Sequence, residues 1–510
     1  MECKRILLKM PTDYSEGELR KGIEKELGIT EFSYELDKKS LDARKKSNIH
    51  WQIWVNVVPE EAKKELFQNF EELVIPYQKR GKSVLVVGSG PAGFFSAFVL
   101  QKAGFETTII ERGTEVRKRT SGISVFEKTG VFDPISNYTF GEGGAGTFSD
   151  GKLTSRSKHI GKEKGFILKS YIEAGAPEEI SYLAHPHLGS DNLKKIIKVL
   201  REKFLELGGK MLFETLLEDL KIEDGVVQEA ITTAGPMTAD YFFIAPGHSA
   251  YETYRMLMGK GVKFETKNFA LGARVEHPQP LINSAQWGKE SLPGVLAAEY
   301  RLTSSGDGKL PVYTFCMCPG GIIVPSGSYE NTSVVNGMSY FSRRAKFANA
   351  GCVAGIHPDQ LMGKKASALE ALEWVENLER SFYEYAGGYQ APFCGIQNFI
   401  DQKESSKTVA TSYPLGLKPA PLWELLPREV SHTMRAGLKE FSRKIRGYET
   451  GNIMGLESKT SSPIQALREK DSRCAGFENL YLIGEGSGYS GGIVSSGADG
   501  IKAAMTIVES

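Results

Sequence analysis

Cysteine is scarce in this 510-residue chain: Cys3, Cys316, Cys318, Cys352, Cys394 and Cys474 are all there are, and no two form a C-x-x-C pair. So few and so scattered, they exclude a disulfide scaffold. With no paired histidines to join them they also fall short of a zinc set, and no metal site is expected. Charge of one sign is missing as well. The 63 basic and 62 acidic residues leave a net charge of +1, which supplies no field to attract nucleic acid or anionic lipid, so a nucleic-acid partner is disfavoured. No apolar run approaches the roughly 18 residues needed to span a bilayer. The opening MECKRILLKMPTDYSEGELRK has too short an apolar run for a signal peptide and no small-residue cleavage site. No membrane contact and a cytoplasmic location are therefore expected.

Glycine, by contrast, is abundant, and three clusters of it organise the chain. The first, VGSGPAG, spans Val87 to Gly93. It follows the apolar run Ser83 to Val87, opens a helical pattern over Ala92 to Ala103, and is followed by a second strand pattern, Thr107 to Ile110, that delivers Glu111. That context marks a dinucleotide fingerprint. Gly88 permits the tight turn, Gly90 lets a pyrophosphate approach backbone N–H groups at a helix N-terminus, and Gly93 packs helix on strand. Glu111 is expected to accept hydrogen bonds from a ribose diol.

The second cluster, GEGGAGTFSDGKL from Gly141 to Leu153, satisfies the same G-x-G-x-x-G expression but fails its context. The strand pattern before it is short, no amphipathic helix follows Gly146, and Ser149 to Lys152 read as loop. Two uses remain open for it: a surface turn, or an irregular loop crossing close to a cofactor held by the first cluster. The third cluster, GEGSGYSGG from Gly484 to Gly492, follows another short strand pattern and leads into helical spacing from Ile493 to Ile507. Strand-loop-helix units at both ends of the chain suggest one large cofactor gripped from two sides, and FAD fits that better than NAD.

The length allows two or three domains. Residues 1–78 read as a small α+β unit, with strands over Ile6 to Met10 and Trp51 to Val58, a helix from Glu16 to Leu27 capped by Ser15, and another helix from Glu60 to Leu73. Its basic run, Lys38-Lys39 with Arg44-Lys45-Lys46, reads as a solvated face rather than a phosphate site, because Asp37 and Asp42 offset it. Residues 79–258 and 471–510 form a discontinuous cofactor domain, whose Ala239 to Gly247 run ends in A-P-G. Residues 259–470 carry no fingerprint and are assigned to a capping or substrate domain.

The succession VVGSGPAGFFSAFVLQKAG, TFGEGGAGTFSDGKLTSR, APGHSAYETYRML, GARVEHPQPLIN, FCMCPGG, VVNGMSY and LIGEGSGYSGGIVSSGADGIKAA resembles the bacterial FAD-dependent dehydrogenase-like proteins. The resemblance covers essentially the whole chain. It implies an α/β fold with a Rossmann-type FAD-binding domain of the two-dinucleotide-binding flavoprotein type, an α+β capping domain and a small N-terminal α+β domain. It implies noncovalent FAD and a redox role, and it supplies no substrate. With the motifs it assigns to the cofactor Gly88, Gly90, Pro91, Ala92 and Gly93; Glu111 and Arg112; Gly143, Gly144, Ala145, Gly146, Ser149, Gly151 and Lys152; Gly247; and Gly484, Glu485, Gly491, Gly492 and Ile493.

Flavin carries the hard chemistry, so catalytic candidates need only orient a substrate or tune the ring. Lys152 is either a charge that stabilises reduced flavin or a surface lysine. Arg274 and Glu276 alternate with His277 as on a strand and face one way, either as a structural pair or as an orienting pair for an anionic substrate. Cys316 and Cys318 read as inert or ring-packing thiols in preference to redox-active ones, since adjacent-but-one cysteines close a strained ring. No cysteine lies between Cys3 and Cys316, so the dithiol relay that disulfide reductases place after the fingerprint is absent. Two functions are weighed. One is an oxidoreductase taking a hydride or electrons from a small molecule or NAD(P)H. The other is a FAD-binding redox sensor without turnover, with a protein partner on the N-terminal domain. No second strand-anchored fingerprint is present for a dedicated NAD(P)H domain.

Overall fold

The computed structural model of the chain describes residues 3–61, 72–405 and 409–510. A five-stranded parallel sheet runs in the order Leu480–Leu482, Tyr241–Ile244, Ser83–Val87, Glu106–Ile110, Lys210–Leu212. The chain therefore starts in the middle of the sheet, builds outward on one side, and returns to the other with its C-terminal strand. That reversal leaves a crevice at the carboxyl ends of the strands, beside Ser83–Val87. A three-stranded meander, Leu217–Glu223, Val226–Thr232 and Gly235–Met237, replaces one helical crossover. The arrangement is Rossmann-type.

The fingerprint helix Pro91–Lys102 shows why a one-sided reading of its apolar pattern is too narrow. Every residue from Ala92 to Leu100 is buried, because the helix lies between the sheet and the C-terminal helix Ile493–Val508. Small residues allow that approach: a Cβ on Gly500 would stand 2.2 Å from the Ala92 carbonyl oxygen. A helix apolar all round is a buried helix.

Between the two parts of this unit the chain builds a second, eight-stranded sheet. Its centre is Phe269–Pro278, paired antiparallel with Phe347–Ile356 on one side and Asn452–Glu457 on the other. The long strand Val312–Pro325 pairs with Phe347–Ile356 and is irregular between Phe315 and Cys318. Helix Arg428–Lys444 covers the sheet through Val430, Met434, Leu438 and Phe441. Among the described residues no helix is long and apolar enough to cross a membrane.

The N-terminal unit is an antiparallel sheet of Lys4–Met10, His50–Val58 and Ser33–Asp42, in that order, with helix Glu16–Leu27. Ser15 and Glu18 form a capping box. The strand Ser33–Asp42 is an addition to the sequence reading, and most of the helix expected over Glu60–Leu73 falls on residues 62–71, outside the described residues. Lys39 of the basic run is a packing residue. Its ammonium lies over the Tyr14 and Trp51 rings, at 4.8 and 4.6 Å, and its backbone bonds Tyr182 and Ala184.

The strap that follows this unit belongs to the parallel sheet's core. Leu73 and Ile75 pack on that core, the Gln78 N–H donates to the Ala103 carbonyl, and Arg80 donates to the Val508 carbonyl at 2.6 Å. The boundary expected at 78/79 falls inside this strap. A chain beginning at residue 72 is therefore expected to be more stable than one beginning at residue 82. The difference should be about 1–3 kcal/mol, the loss of a few hydrogen bonds and apolar contacts, read as a lower urea midpoint for the shorter chain.

Candidate functional site

The first glycine cluster is shaped by close backbone approach. Gly88 has φ +97°, and a Cβ there would stand 2.3 Å from the Ala245 carbonyl oxygen; a Cβ on Gly93 would stand 1.9 Å from the Gly88 carbonyl oxygen. Gly90 differs. Its nearest neighbour to an added Cβ is the Gly144 Cα at 3.8 Å, so protein packing alone does not demand glycine there. Gly90 caps the fingerprint helix without a side-chain hydrogen bond, Pro91 follows at the first helical position, and Gly492 caps Ile493–Val508 in the same bare way. Two helix N-termini thus present unclaimed N–H donors and the positive ends of their dipoles.

The second cluster comes to the first. Gly144, at φ +67°, would set a Cβ 3.0 Å from the Gly90 Cα, and a Cβ on Gly146 would stand 3.1 Å from Ile493. The third joins them, since a Cβ on Gly484 would stand 2.5 Å from that of Ala92. One short 3-10 turn, Ala145–Phe148, follows Gly144 in place of an α-helix.

Two buried charges fix this meeting. Glu111 accepts from the Ser89 N–H (3.0 Å) and hydroxyl (2.7 Å) on one oxygen, and from the N–H groups of Gly113 (2.9 Å) and Gly141 (3.1 Å) on the other. Both oxygens already hold two donors, so a ribose diol would have to share them. Arg119, which the sequence reading missed, is fully buried and donates to the carbonyls of Asn137, Tyr138, Glu142 and Gly144 at 2.8–2.9 Å and of Gly141 at 3.3 Å. Burial pushes its guanidinium down to about 10, against the pull of Glu111 and Glu142. The available signal was its position on the apolar face of helix Val116–Thr129, with Val116, Ile123 and Phe126. Arg112 turns away from the cluster, over the Phe140 ring at 3.8 Å, and pairs with Glu252, which Tyr329 also bonds.

Beside this junction lies a cleft lined by Ser89, Pro91, Glu142, Gly143, Arg201 and Ile493. Glu142 was likewise missed. One of its oxygens accepts from Val116 and faces Arg201 at 3.3 Å; the other is buried with no partner. Burial raises its carboxyl above the usual range. Gly247 (φ +67°) and Glu485 sit across the third cluster, where Glu485 is 3.5 Å from His248 and the Tyr254 hydroxyl is within 3.1 Å of the Gly247 and Gly486 carbonyls. Gly491 and Gly492 are exposed.

The end of the second loop enters the capping sheet. Ser149 turns back on its own loop, its hydroxyl donating to the Gly146 carbonyl and accepting from the Gly151 N–H. Asp150, fully buried, is bonded at 2.7 Å by both Lys152 and Arg343. Burial alone would raise its carboxyl, but the two cations outweigh it and hold the group well below the carboxylate range. Burial pulls the Lys152 ammonium down, and Asp150 and the thiols of Cys318 and Cys316 push it up further. Lys152 also donates to the Met317 carbonyl. Arg274 reaches the same bend from behind: it donates to Asn349 (2.7 Å), Asn336 (2.9 Å) and the Cys316 carbonyl (3.3 Å), and pairs with Glu457 at 3.3 Å. Lys152, half-buried, and Arg274, fully buried, therefore share one charged cluster. Glu276 does not join it; its carboxylate accepts from Ser412, and His277 on the other face bonds the Tyr448 carbonyl.

Comparison with known proteins accords with this layout. Residues 82–229 match the family described as FAD binding domain, and residues 268–460 match the FAD-dependent protein, C-terminal domain-like family. An uncharacterised protein of Clostridium beijerinckii is 39% identical over 491 residues, covering 92% of this chain and 91% of that one. Among solved structures, CtdE in complex with FAD is 11% identical with 84% of each chain covered and a TM-score of 0.33. L-proline dehydrogenase from P. horikoshii is 14% identical, with 85% of this chain and 94% of that one covered and a TM-score of 0.35.

The residues present fit a dinucleotide: bare N–H donors at two helix ends, an open gap at Gly90, and an unpartnered buried acceptor on Glu142. Two glycine variants separate packing from binding. With cofactor stripped from variant and unmodified protein alike, Gly90→Val is expected to change its urea midpoint little, and after reconstitution to retain less cofactor on gel filtration. Gly93→Ala is expected to lose about 2–4 kcal/mol of stability, because its methyl would overlap a backbone oxygen.

Proposed function

We propose, from the premise that this chain belongs to the bacterial family of FAD-dependent proteins and has FAD as its cofactor, that it is an oxidoreductase of the dehydrogenase kind. Its donor would be a small molecule or NAD(P)H. When bound, FAD supplies the acceptor for a hydride or a pair of electrons. The chain's own residues do the rest. The N–H groups after Gly90 receive phosphate, and Glu142 offers the acceptor a ribose hydroxyl needs. Lys152 is held by Asp150 and the Met317 carbonyl, so its positive charge stands fixed where the second glycine loop meets the capping sheet. A charge positioned in advance costs no reorganisation when negative charge develops nearby.

The observation that carries this reading is the convergence of three glycine segments on a charged cluster. That cluster is drawn half from the second loop, Asp150 and Lys152, and half from the capping sheet, Arg274 and Arg343. Anaerobic stopped-flow mixing of the purified yellow protein with NADH, NADPH and a metabolite panel tests it. One donor is expected to bleach the flavin band, and Lys152→Met to slow that bleaching on the order of 10- to 100-fold. Bleaching by dithionite but by no biological donor would favour a FAD-binding sensor without turnover.

A further inference from the structure

Cys316 and Cys318 occupy a break in the long strand Val312–Pro325. Phe315 pairs with Gly351 and Cys318 with Asn349, so two residues, Cys316 and Met317, face the single Ala350. Cys316 sits at φ +42°, in the left-handed region that non-glycine residues rarely enter. It is half-buried, Cys318 is buried, and the Cys318 thiol donates to the Cys316 carbonyl at 3.3 Å. Phe315, next to the pair, is 40% exposed, so the bend lies near solvent.

Charged groups reach this bend from three other elements. Lys152 and Asp150 come from the second glycine loop, Arg274 from Phe269–Pro278, and Glu457 from Asn452–Glu457. The neighbouring Cys318 thiol, followed by Lys152 and Arg274, brings the Cys316 thiol down to about 6 against burial and Asp150, the single Cys318 proton serving the Cys316 sulfur or its carbonyl but not both at once. Cys318 is driven well above the ordinary range by its partner thiol and by burial. The contrast with the other buried cysteines is sharp: burial pushes Cys352, Cys394 and Cys474 up to about 12.

We propose that Cys316 is a hydroperoxide-reactive thiolate and Cys318 its resolving thiol, an oxidation site built into the capping sheet where Lys152 meets it. The Cys316 sulfur attacks the peroxide; an S–O bond forms, the O–O bond breaks, and the departing hydroxide or alkoxide takes up a proton to leave as water or alcohol. The Cys318 sulfur then displaces the hydroxyl from the resulting sulfenic acid. An S–S bond forms, the S–O bond breaks, and the Cys318 proton leaves with the hydroxyl as water. Two thiols are oxidised and one peroxide is reduced by two electrons. A thiolate that is accessible, cation-flanked and adjacent to a second thiol is the arrangement this chemistry needs. The strain of an adjacent-but-one disulfide makes the product readily reducible by external thiols.

The step draws no electron from flavin, so its outcome is independent of the reading above. Hydrogen peroxide is added in equimolar amount to the purified flavoprotein, free thiols are blocked, and peptides are weighed. The peptide bearing both cysteines is expected to lose two hydrogens at least about tenfold faster than the exposed Cys3 is oxidised, and to be restored by dithiothreitol. In Cys318→Ala, dimedone is expected to label Cys316. Iodoacetamide alkylation of Cys316 in the unmodified protein is expected to show a midpoint near pH 6, moving up by about one unit or more in Lys152→Met. Oxidation of Cys3 with the pair left intact, or an alkylation midpoint near the ordinary ~8.5 of a free thiol, would overturn the proposal. Dimedone labelling of Cys316 that persists with Cys318 present would overturn the resolving role.

Discussion

Two buried side chains of opposite sign hold the junction on which everything else depends. Glu111 gathers N–H donors from Ser89, Gly113 and Gly141, while Arg119 gathers the carbonyls of the same glycine loop, from Asn137 to Gly144. Gly141 is held by both, its N–H by the carboxylate and its carbonyl by the guanidinium. A buried loop without regular structure must find partners for its backbone groups elsewhere, and each one left bare costs about 1–3 kcal/mol. Here Arg119 meets five of the loop's carbonyls, Glu111 the Gly141 N–H, and the Asn137 side chain the N–H groups of Thr139 and Phe140. The loop can therefore lie against Gly90 without a helix or a strand of its own.

A second consequence runs through Asp150. The loop pinned by Glu111 and Arg119 ends in that carboxylate, which grips Lys152 from its own segment and Arg343 from the capping sheet. On another side of the junction Arg112 pairs with Glu252, and Tyr329 of the capping segment bonds the same carboxylate. The parallel-sheet unit and the capping sheet are joined by these polar links as well as by apolar packing. Buried ion pairs add little net stability against a well-packed apolar alternative, but they tolerate few geometries. Their contribution is to fix how the loop presents Lys152, not to make the fold stronger.

Much of this was legible in the sequence because it depends on local pattern. The fingerprint, the cap at Ser15, and the helix after Gly492 follow from spacing and turn chemistry. What escaped depends on partners far along the chain. Arg119 was not singled out: its place on the apolar face of its helix signals burial, but nothing in its own neighbourhood says that five carbonyls wait for it. Ser33–Asp42 carries too much charge to read as a strand; pairing with His50–Val58 creates it. Arg274 and Glu276 do share a face, as the two-residue period requires. Two residues along a strand are nevertheless about 7 Å apart. That distance is enough for Arg274 to meet the Cys316 bend while Glu276 meets Ser412.

The same limit governs the cysteines. The sequence favours an inert or ring-packing reading for Cys316 and Cys318 without separating one from the other, and Cys352 lies in the apolar core of the sheet. Cys316 differs by one local event, the break in its strand. A regular strand would carry its side chains on alternating faces of the sheet, within range of neighbouring strands only. The break interrupts that register and turns the Met317 carbonyl toward Lys152 and the Cys316 carbonyl toward Arg274. Cations from the second glycine loop and from another strand of the same sheet thus converge on one bend. Thiol reactivity follows the charges around the sulfur rather than the residue type, so the bend, itself held by those cations, sets Cys316 apart from Cys352, Cys394 and Cys474, which burial governs most strongly.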